Sequence, residues 1–462
     1  MKFPNAIYQA AALLATTILM AALGSAQTVQ DVVSFTGNNS LGNPGATPAE
    51  GRDADLYGTC PDPKGTAGSI FILTPSGATR PFYKFNFTAG ADPAGGLMLA
   101  TDGNFYGTAA GGGGSGTYGV LFRISPEGTY TVLHNFLGGA DGAGPFAAPI
   151  EATDGNFYGT TSGAAGIFPS TIYKYTPSGT FTTIYQFTKA QGGSIGTPLI
   201  EGSDGNLFGT AFDGGASDNG SIYELSTSGA LLYNYSFPGG KGGANTFGPL
   251  VQASDGNYYG TTFYGGNFIR YGRVFRMDRK GVVSTLYSFT GLEDGANPSG
   301  GLIQATDGNL YGTTSARGTN GYGTVFQIST SGKFKALYSF SAAIGENPGP
   351  PPLQHTNGLF YGSLPFGSTY GYGAIYSLDM GLGPFITFVL PTGKVGQTAE
   401  ILGQGLRGTT AVTFNGVTAT SFSVKSDTYM TAVVPSGATT GPVTVTTPSG
   451  TLTSNKNFRI LK

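Results

Sequence analysis

Apolar residues fall in short runs broken by glycine, proline, serine and asparagine, as in 301–306, 309–314, 323–328 and 334–340. Within these runs neighbouring as well as alternating positions are apolar. That is the pattern of a strand covered on both faces, whereas a strand with one wet face alternates strictly. The first and second runs are joined by Asp307-Gly308 and the third and fourth by Ser331-Gly332. Asp-Gly between β-rich runs is a strong hairpin signal. Four antiparallel strands per unit are therefore expected.

The unit repeats. Asp-Gly-Asn recurs at Asp102, Asp154, Asp204, Asp255 and Asp307, followed each time by an aromatic or Leu and then Tyr/Phe-Gly-Thr. Degenerate copies start at Asp55 and Asn357, and the motif glycine stands at 58, 107, 159, 209, 260, 312 and 362. A period near 50 residues is that of a propeller blade. The seventh unit has a third strand at 374–378 and no fourth, while a lone fourth-strand pattern occupies 29–35. The expected fold is all-β: a seven-bladed β-propeller over 27–382, closed by the N-terminal strand. Closure would remove the exposed sheet edges that invite aggregation. From Gly383 the unit vanishes and Thr/Val alternation takes over to Lys462, the size and pattern of an Ig-like β-sandwich.

Composition narrows the function. Of 462 residues 79 are Gly, 27 Pro, 26 Tyr and 32 Phe, and the net charge is −2. So aromatic and weakly charged a chain is not disordered, and it lacks the basic surface that nucleic-acid binding uses. Lys2, the apolar stretch 10–23 and Gly24-Ser25-Ala26 have the order of a secretory signal, giving a boundary at 1–26. No membrane span is expected after cleavage. The lone Cys60 permits no intrachain disulfide and reads as a passive thiol.

Two resemblances follow from these motifs. The unit running through Ala-Thr-Asp-Gly-Asn-Phe-Tyr-Gly-Thr to Val-Phe and Leu-Tyr-Ser-Phe resembles the GloVer tandem repeat of exported bacterial proteins, over about 28–380. Residues 384–460 resemble an IPT/TIG domain, through 396–406, Val412-Thr413-Phe414-Asn415-Gly416 and Pro435. The first resemblance implies no known enzyme activity and leaves the function open. The second implies an Ig-like spacer or interaction module.

Enzyme motifs are weak. Gly192-Gly193-Ser194-Ile195-Gly196 has the letters of a nucleophile elbow without the strand and helix it needs, and Gly114 to Gly119 has those of a dinucleotide loop without a helix. His134 and His355 lie in different units. The repeated Asp could ligate Ca²⁺, but tight-turn chemistry alone explains it. No catalytic residue, cofactor or metal is assigned. Arg270, Arg273, Arg276 and Arg279 alternate in direction and make no single patch.

Strand parity puts the tight turns on one face of the ring and the long loops on the other. Binding residues concentrate on loops held by a rigid scaffold. The long-loop face offers Phe263, Tyr264, Asn267, Arg270, Arg317, Asp213 and Asp294 as a ligand-binding set. Aromatic platforms beside short polar groups suit a sugar ring. The expectation is a secreted or cell-surface-associated binding or adhesion protein, monomeric, whose partner is an extracellular polysaccharide or a surface protein. A carbohydrate-active hydrolase or lyase, and a structural spacer, are the alternatives.

Overall fold

The computed structural model describes residues 28–38, 41–61, 65–163, 167–268 and 270–461; the signal-like segment 1–26 lies outside them. The described residues form an all-β chain. Residues 49–84, 97–135, 150–186, 200–236, 251–288 and 303–339 each make one four-stranded antiparallel sheet in chain order, here sheets 1 to 6. Sheet 7 has three strands from 353–379, and its fourth is Thr28–Ser34, paired antiparallel with Ala374–Asp379. Each sheet packs on the next through a buried apolar cluster. Sheets 7 and 1 do the same, with Phe35, Leu56, Phe71, Leu73, Tyr361 and Ile375 in one cluster.

The repeated residues have distinct tasks. The motif glycine lets an aromatic ring of the third strand lie against the second: a Cβ on Gly312 would stand 2.7 Å from the Phe326 ring. The motif aspartate accepts from the backbone of the residue two on and, except at Asp204 where Phe208 stands, from a tyrosine four on. Asp307, for instance, takes Asn309 N at 3.0 Å and Tyr311 Oη at 2.8 Å. Its carboxylate closes the hairpin and anchors the second strand.

First strands are shorter than the sequence pattern suggests, Ile303–Gln304 against an apolar run of 301–306. The residues before them are spent on packing between sheets. A Cβ on Gly248 would lie 2.0 Å from Gly301 N, and Thr47 Oγ1 donates to Pro351 O at 2.8 Å. These segments touch from sheet to sheet around the ring and form its innermost layer.

Two sets of hydrogen bonds clasp successive sheets near that layer. In one, a Glu or Gln ending the first strand of a sheet binds a Thr or Ser of the sheet before it. Glu151 accepts from Thr101 N at 2.8 Å and Thr101 Oγ1 at 2.5 Å. Gln304 accepts from Ser254 N at 2.8 Å and donates to Ser254 Oγ at 3.2 Å. Glu201, Gln252, Gln354 and Glu50 repeat the arrangement with Thr153, Ser203, Thr306 and Thr356. In the other set, the hydroxyl of Tyr-Gly-Thr donates to a carbonyl of the next inner segment, as Thr210 to Gly248 O at 3.0 Å and Thr108 to Ala147 O at 3.0 Å.

Residues beyond 383 build their own core, with Ile386, Ile401, Val412, Phe414, Met430, Val445 and Phe458 buried together. It lies with two four-stranded antiparallel sheets: Thr387–Phe388, Thr398–Leu402, Tyr429–Val433 and Phe422–Val424 form one, and Val417–Thr418, Ala411–Phe414, Val443–Thr447 and Gly450–Thr453 the other. Thr392–Lys394 pairs in parallel with Arg459–Leu461. This C-terminal unit sits on the tight-turn side of the ring. Arg52 of sheet 1 meets Glu400 at 2.5 Å and lies over the Tyr429 ring at 4.6 Å. Gln404 donates to Thr356 of sheet 7 at 2.8 Å, and Arg459 reaches Glu201 of sheet 4 at 3.3 Å.

Candidate functional site

The long loops are held rigidly by asparagines with positive φ. Asn245 (φ 59) donates its side-chain amide to Phe212 O at 2.9 Å, and its carbonyl accepts from Phe263 N at 2.8 Å. Asn297 (φ 56) donates to Phe263 O at 3.0 Å and Arg270 O at 2.9 Å. Asparagine tolerates this left-handed conformation better than most residues. Each one ties the loop of one sheet to the loop of its neighbour, so the side chains above them are presented on a fixed backbone.

On that backbone four aromatic rings meet at sheets 4 and 5. Phe212 follows the second strand of sheet 4, Phe247 lies in the inner segment leading into sheet 5, and Phe263 and Tyr264 follow Tyr258–Thr262. Ring centroids are 4.3 Å apart for Phe212–Phe247, 5.1 Å for Phe247–Phe263 and 4.8 Å for Phe263–Tyr264, the last two edge to face. Phe247 is 45% and Tyr264 44% exposed. The loop bearing Tyr264 sits directly on its neighbour's backbone: a Cβ on Gly265 would be 2.3 Å from Gly243 Cα. The result is a continuous, rigid aromatic strip open to solvent.

The residues expected from sequence divide around this strip. Phe263 and Tyr264 are its centre, and Asn267 is exposed on the same loop. Arg270, also exposed, closes that loop by bridging to Gly265. Arg317 belongs to the corresponding loop of sheet 6, its guanidinium 5.5 Å from the centre of the Tyr271 ring. The two aspartates are occupied by neighbouring backbone, Asp213 by the segment leading into sheet 4 and Asp294 by its own loop. Asp213 accepts from Ser194 N at 2.5 Å. Asp294, 8% exposed, accepts from Thr290 N, Thr290 Oγ1, Leu292 N and Tyr287 Oη. Phe212 and Phe247 were not in the expected set. A comparison of repeat positions could have found Phe247, which stands where five of the other six units place Gly, Ala or Ser, with Phe146 the exception.

The weak enzyme motifs take ordinary structural places. Ser194 Oγ is 3.4 Å from Asp213, in a loop with no helix after it. His134 stacks on Phe181 at 3.5 Å and meets Asp141 at 3.0 Å, the pairing that Tyr287 makes with Phe334 and Asp294. His355 is buried and faces Ala54 O at 3.0 Å. Arg273 is buried between the Phe237 and Phe275 rings and donates to Thr285 at 2.6 Å, and desolvation holds its pKa below the usual arginine value. Burial pushes the Cys60 thiol up to about 12, which leaves it protonated and unreactive. Among the described residues no three His, Cys, Asp or Glu side chains are grouped to hold a metal.

The sequence profile of the Gloeobacter/Verrucomicrobia repeat matches residues 17–167, 118–305 and 269–431. The chain belongs to this repeat family. No curated protein sequence matches it. Among solved structures, the chain is similar to the surface component PorZ of the type-IX secretion system of Porphyromonas gingivalis, at 14% identity and TM-score 0.47, covering 93% of this chain and 61% of that one. It is similar to the extracellular domain of a two-component system from B. thetaiotaomicron, at 9% identity and TM-score 0.49, covering 94% and 57%. It is also similar to a gluconolactonase from Xanthomonas campestris, at 12% identity and TM-score 0.41, covering 78% and 92%. Likenesses this remote bear on neither ligand nor activity. No helix among the described residues is long and apolar enough to cross a membrane.

Proposed function

We propose that this chain is a secreted, non-enzymatic binding module: a seven-bladed β-propeller with an Ig-like C-terminal domain of the IPT/TIG kind. Its ligand is an extracellular polysaccharide, bound on the long-loop face. The observation that carries this reading is the strip Phe212–Phe247–Phe263–Tyr264, exposed on loops that asparagine hydrogen bonds hold in place. An apolar strip of that kind matches the flat faces of successive sugar rings, and a rigid backbone loses little entropy when the ligand binds. Asn267 and Arg270 stand on the same loop to meet hydroxyl edges. Asp213 and Asp294, each accepting from nearby backbone amides, are poorly disposed to act as an acid–base pair, which favours binding over hydrolysis.

The test is retention of the purified chain on a panel of polysaccharides, with released reducing ends scored in the same samples. Retention without release is expected, and Phe247→Ala or Tyr264→Ala should each weaken it by about tenfold, the loss of roughly 1.4 kcal/mol at a central contact. Release of sugar ends, or retention unchanged in both variants, would overturn the proposal.

A further inference from the structure

Arg273 opens the third strand of sheet 5, Arg273–Met277, where sheets 3, 4 and 6 have Thr171, Ser221 and Thr324. Those hydroxyls donate to the loop carbonyls of Asp141, Gln191 and Asp294. Arginine is longer, and its guanidinium lies 5.7 Å from the centre of the Phe237 ring and 6.0 Å from that of Phe275. In sheet 6 the Phe334 ring stands 5.7 Å and 5.3 Å from the equivalent rings, Phe289 and Phe326. Sheet 3 has Phe181 in the same place, whereas sheet 5 has the smaller Val283. A cation therefore fills a space that neighbouring sheets fill with a neutral ring.

The loop facing that space changes with it. In the turn Gly139–Asp141 the Asp141 carboxylate accepts from Leu137 N at 2.9 Å and meets His134. Asp294 accepts from Thr290 N and the Tyr287 hydroxyl in the same way. The loop beside Arg273 has the same turn, Gly240–Gly242, closed by the same bond, here Gly239 N to Gly243 O at 3.1 Å. Yet Gly242 stands in the place of the aspartate, and Pro238, which has no N–H, in that of Leu137 and Thr290. A Cβ on Gly242 would lie 2.3 Å from Pro238 Cγ, so this loop cannot supply the carboxylate itself. Arg273, 4% exposed, donates from Nη1 to Thr285 at 2.6 Å, while its Nε and Nη2 are buried without a partner. Tyr235, the equivalent of Tyr287, turns its hydroxyl to the guanidinium, and no carboxylate acts on it. Nε and Nη2 form one edge of the guanidinium, the fork that binds a carboxylate bidentately. An empty fork is costly for a buried cation.

We infer that the long-loop side of the ring holds a carboxylate site between sheets 4 and 5. There the free Nε–Nη2 edge of Arg273 binds a carboxylate from outside the chain, where neighbouring loops use their own aspartate. The cover over this edge is glycine-rich, Gly239, Gly240, Gly242 and Gly243, with the exposed Lys241 among them. At the same place in the loop of sheet 2 the Asp141 side chain is 19% exposed, so the position opens on solvent. The ligand is a small free carboxylate or a uronic-acid unit of a polysaccharide, the second resting on the reading of the aromatic strip. Ala244 bridges to Tyr264, so the site adjoins that strip. Loss of the site would leave retention on neutral polysaccharides through Phe247 and Tyr264 unchanged.

Thermal unfolding of the full chain with sodium glucuronate or polygalacturonate, against sodium chloride at equal ionic strength and against glucose, tests the inference. A saturable rise in Tm on the order of 2 °C is expected with at least one of the two carboxylates and not with glucose. A response to polygalacturonate alone would identify the acidic polymer as the ligand; a response to glucuronate would identify the free carboxylate. Arg273→Thr, which installs the residue of sheets 3 and 6, should abolish the rise. A second variant works by gain: Pro238→Thr with Gly242→Asp rebuilds the aspartate loop of sheet 5. It should raise the Tm of the unliganded chain and remove the response to added carboxylate. The absence of a saturable rise, its survival in Arg273→Thr, or an undiminished response in the rebuilt loop would each overturn the site.

Discussion

Six of the seven joins between successive sheets are clasped twice; the join between sheets 1 and 2 is clasped by neither set. Where the other first strands end in Glu or Gln, sheet 2 has Leu99, which accepts nothing. Where the other sheets place Thr or Ser, sheet 1 has Arg52. The hydroxyl of Thr59, equivalent to those that donate across every other join, is buried without a hydrogen-bond partner among the described residues. At this same join Arg52 donates to Thr101 O of sheet 2 at 3.0 Å while it holds Glu400, and Thr428 donates to Arg52 O at 2.7 Å. The repeat has been rewritten at one place, and the C-terminal unit occupies it. The comparison teaches that the two units are coupled: at this one join Arg52 replaces both clasps with its bond to Thr101 O, and the C-terminal unit holds Arg52 in place through Glu400, Tyr429 and Thr428.

The largest effect should come from breaking that hold. Arg52 and Glu400 are both largely buried, with 28% and 17% of their side chains exposed. Arg52→Ala removes the ion pair, the contact with Tyr429 and the bond to Thr101 together, and leaves Glu400 desolvated. A loss of about 2–4 kcal/mol is expected by denaturant unfolding, and less for Glu400→Ala. The pair should couple by about 1–2 kcal/mol in a double-mutant cycle. Additive single losses would mean that the contact holds nothing together.

The second prediction compares one threonine position across joins. Thr210 and Thr59 are equivalent and both buried, but Thr210 donates to Gly248 O and Thr59 donates to nothing. Valine is nearly isosteric with threonine. Thr210→Val should cost about 1–2 kcal/mol by leaving a buried carbonyl short of a donor. Thr59→Val should be neutral or stabilising, because it removes a buried hydroxyl that has no partner. Equal losses at the two sites would erase the distinction between the joins.

Much of this was visible in the sequence, but not its consequences. Asp307-Gly308-Asn309 announces its hairpin because the turn and its residues are local. Glu151-Ala152-Thr153 and Gln304-Ala305-Thr306 are equally regular, yet each residue of the pattern bonds a different sheet about one period away, so the letters alone do not reveal a clasp. Arg52 and Leu99 show as departures from the repeat, but only the docked C-terminal unit gives them a purpose. The aromatic strip divides in the same way. Phe263 and Tyr264 stand out as neighbours unlike their equivalents, whereas Phe212 and Phe247 come from separate segments that folding brings together. Asp294 reads as a ligand in a loop because two of its four donors are backbone amides, which no side-chain pattern displays, and the other two are hydroxyls of its own hairpin and loop, Tyr287 and Thr290.

The smallest expected effect concerns the chemistry of the clasp. Three joins use glutamine, at 252, 304 and 354, and three use glutamate, at 50, 151 and 201. Glutamate is a charge taken partly out of water, and desolvation raises the Glu151 pKa above its ordinary 4.5, despite the two bonds from Thr101 that oppose it. A carboxyl whose pKa is higher in the folded than in the unfolded chain binds more protons when folded. Its contribution to stability is therefore greatest below 4.5 and falls as pH rises through the raised folded value. Glu151→Gln keeps the shape, borrows the pairing already present at Gln304 with Ser254, and removes the titration. The variant should match the parent near pH 4 and exceed it by less than about 1 kcal/mol at pH 7, read as the difference between two unfolding curves across that range. A variant weaker than the parent at neutral pH would mean that the charged clasp is the stronger of the two, and that the glutamine joins are the softer part of the ring.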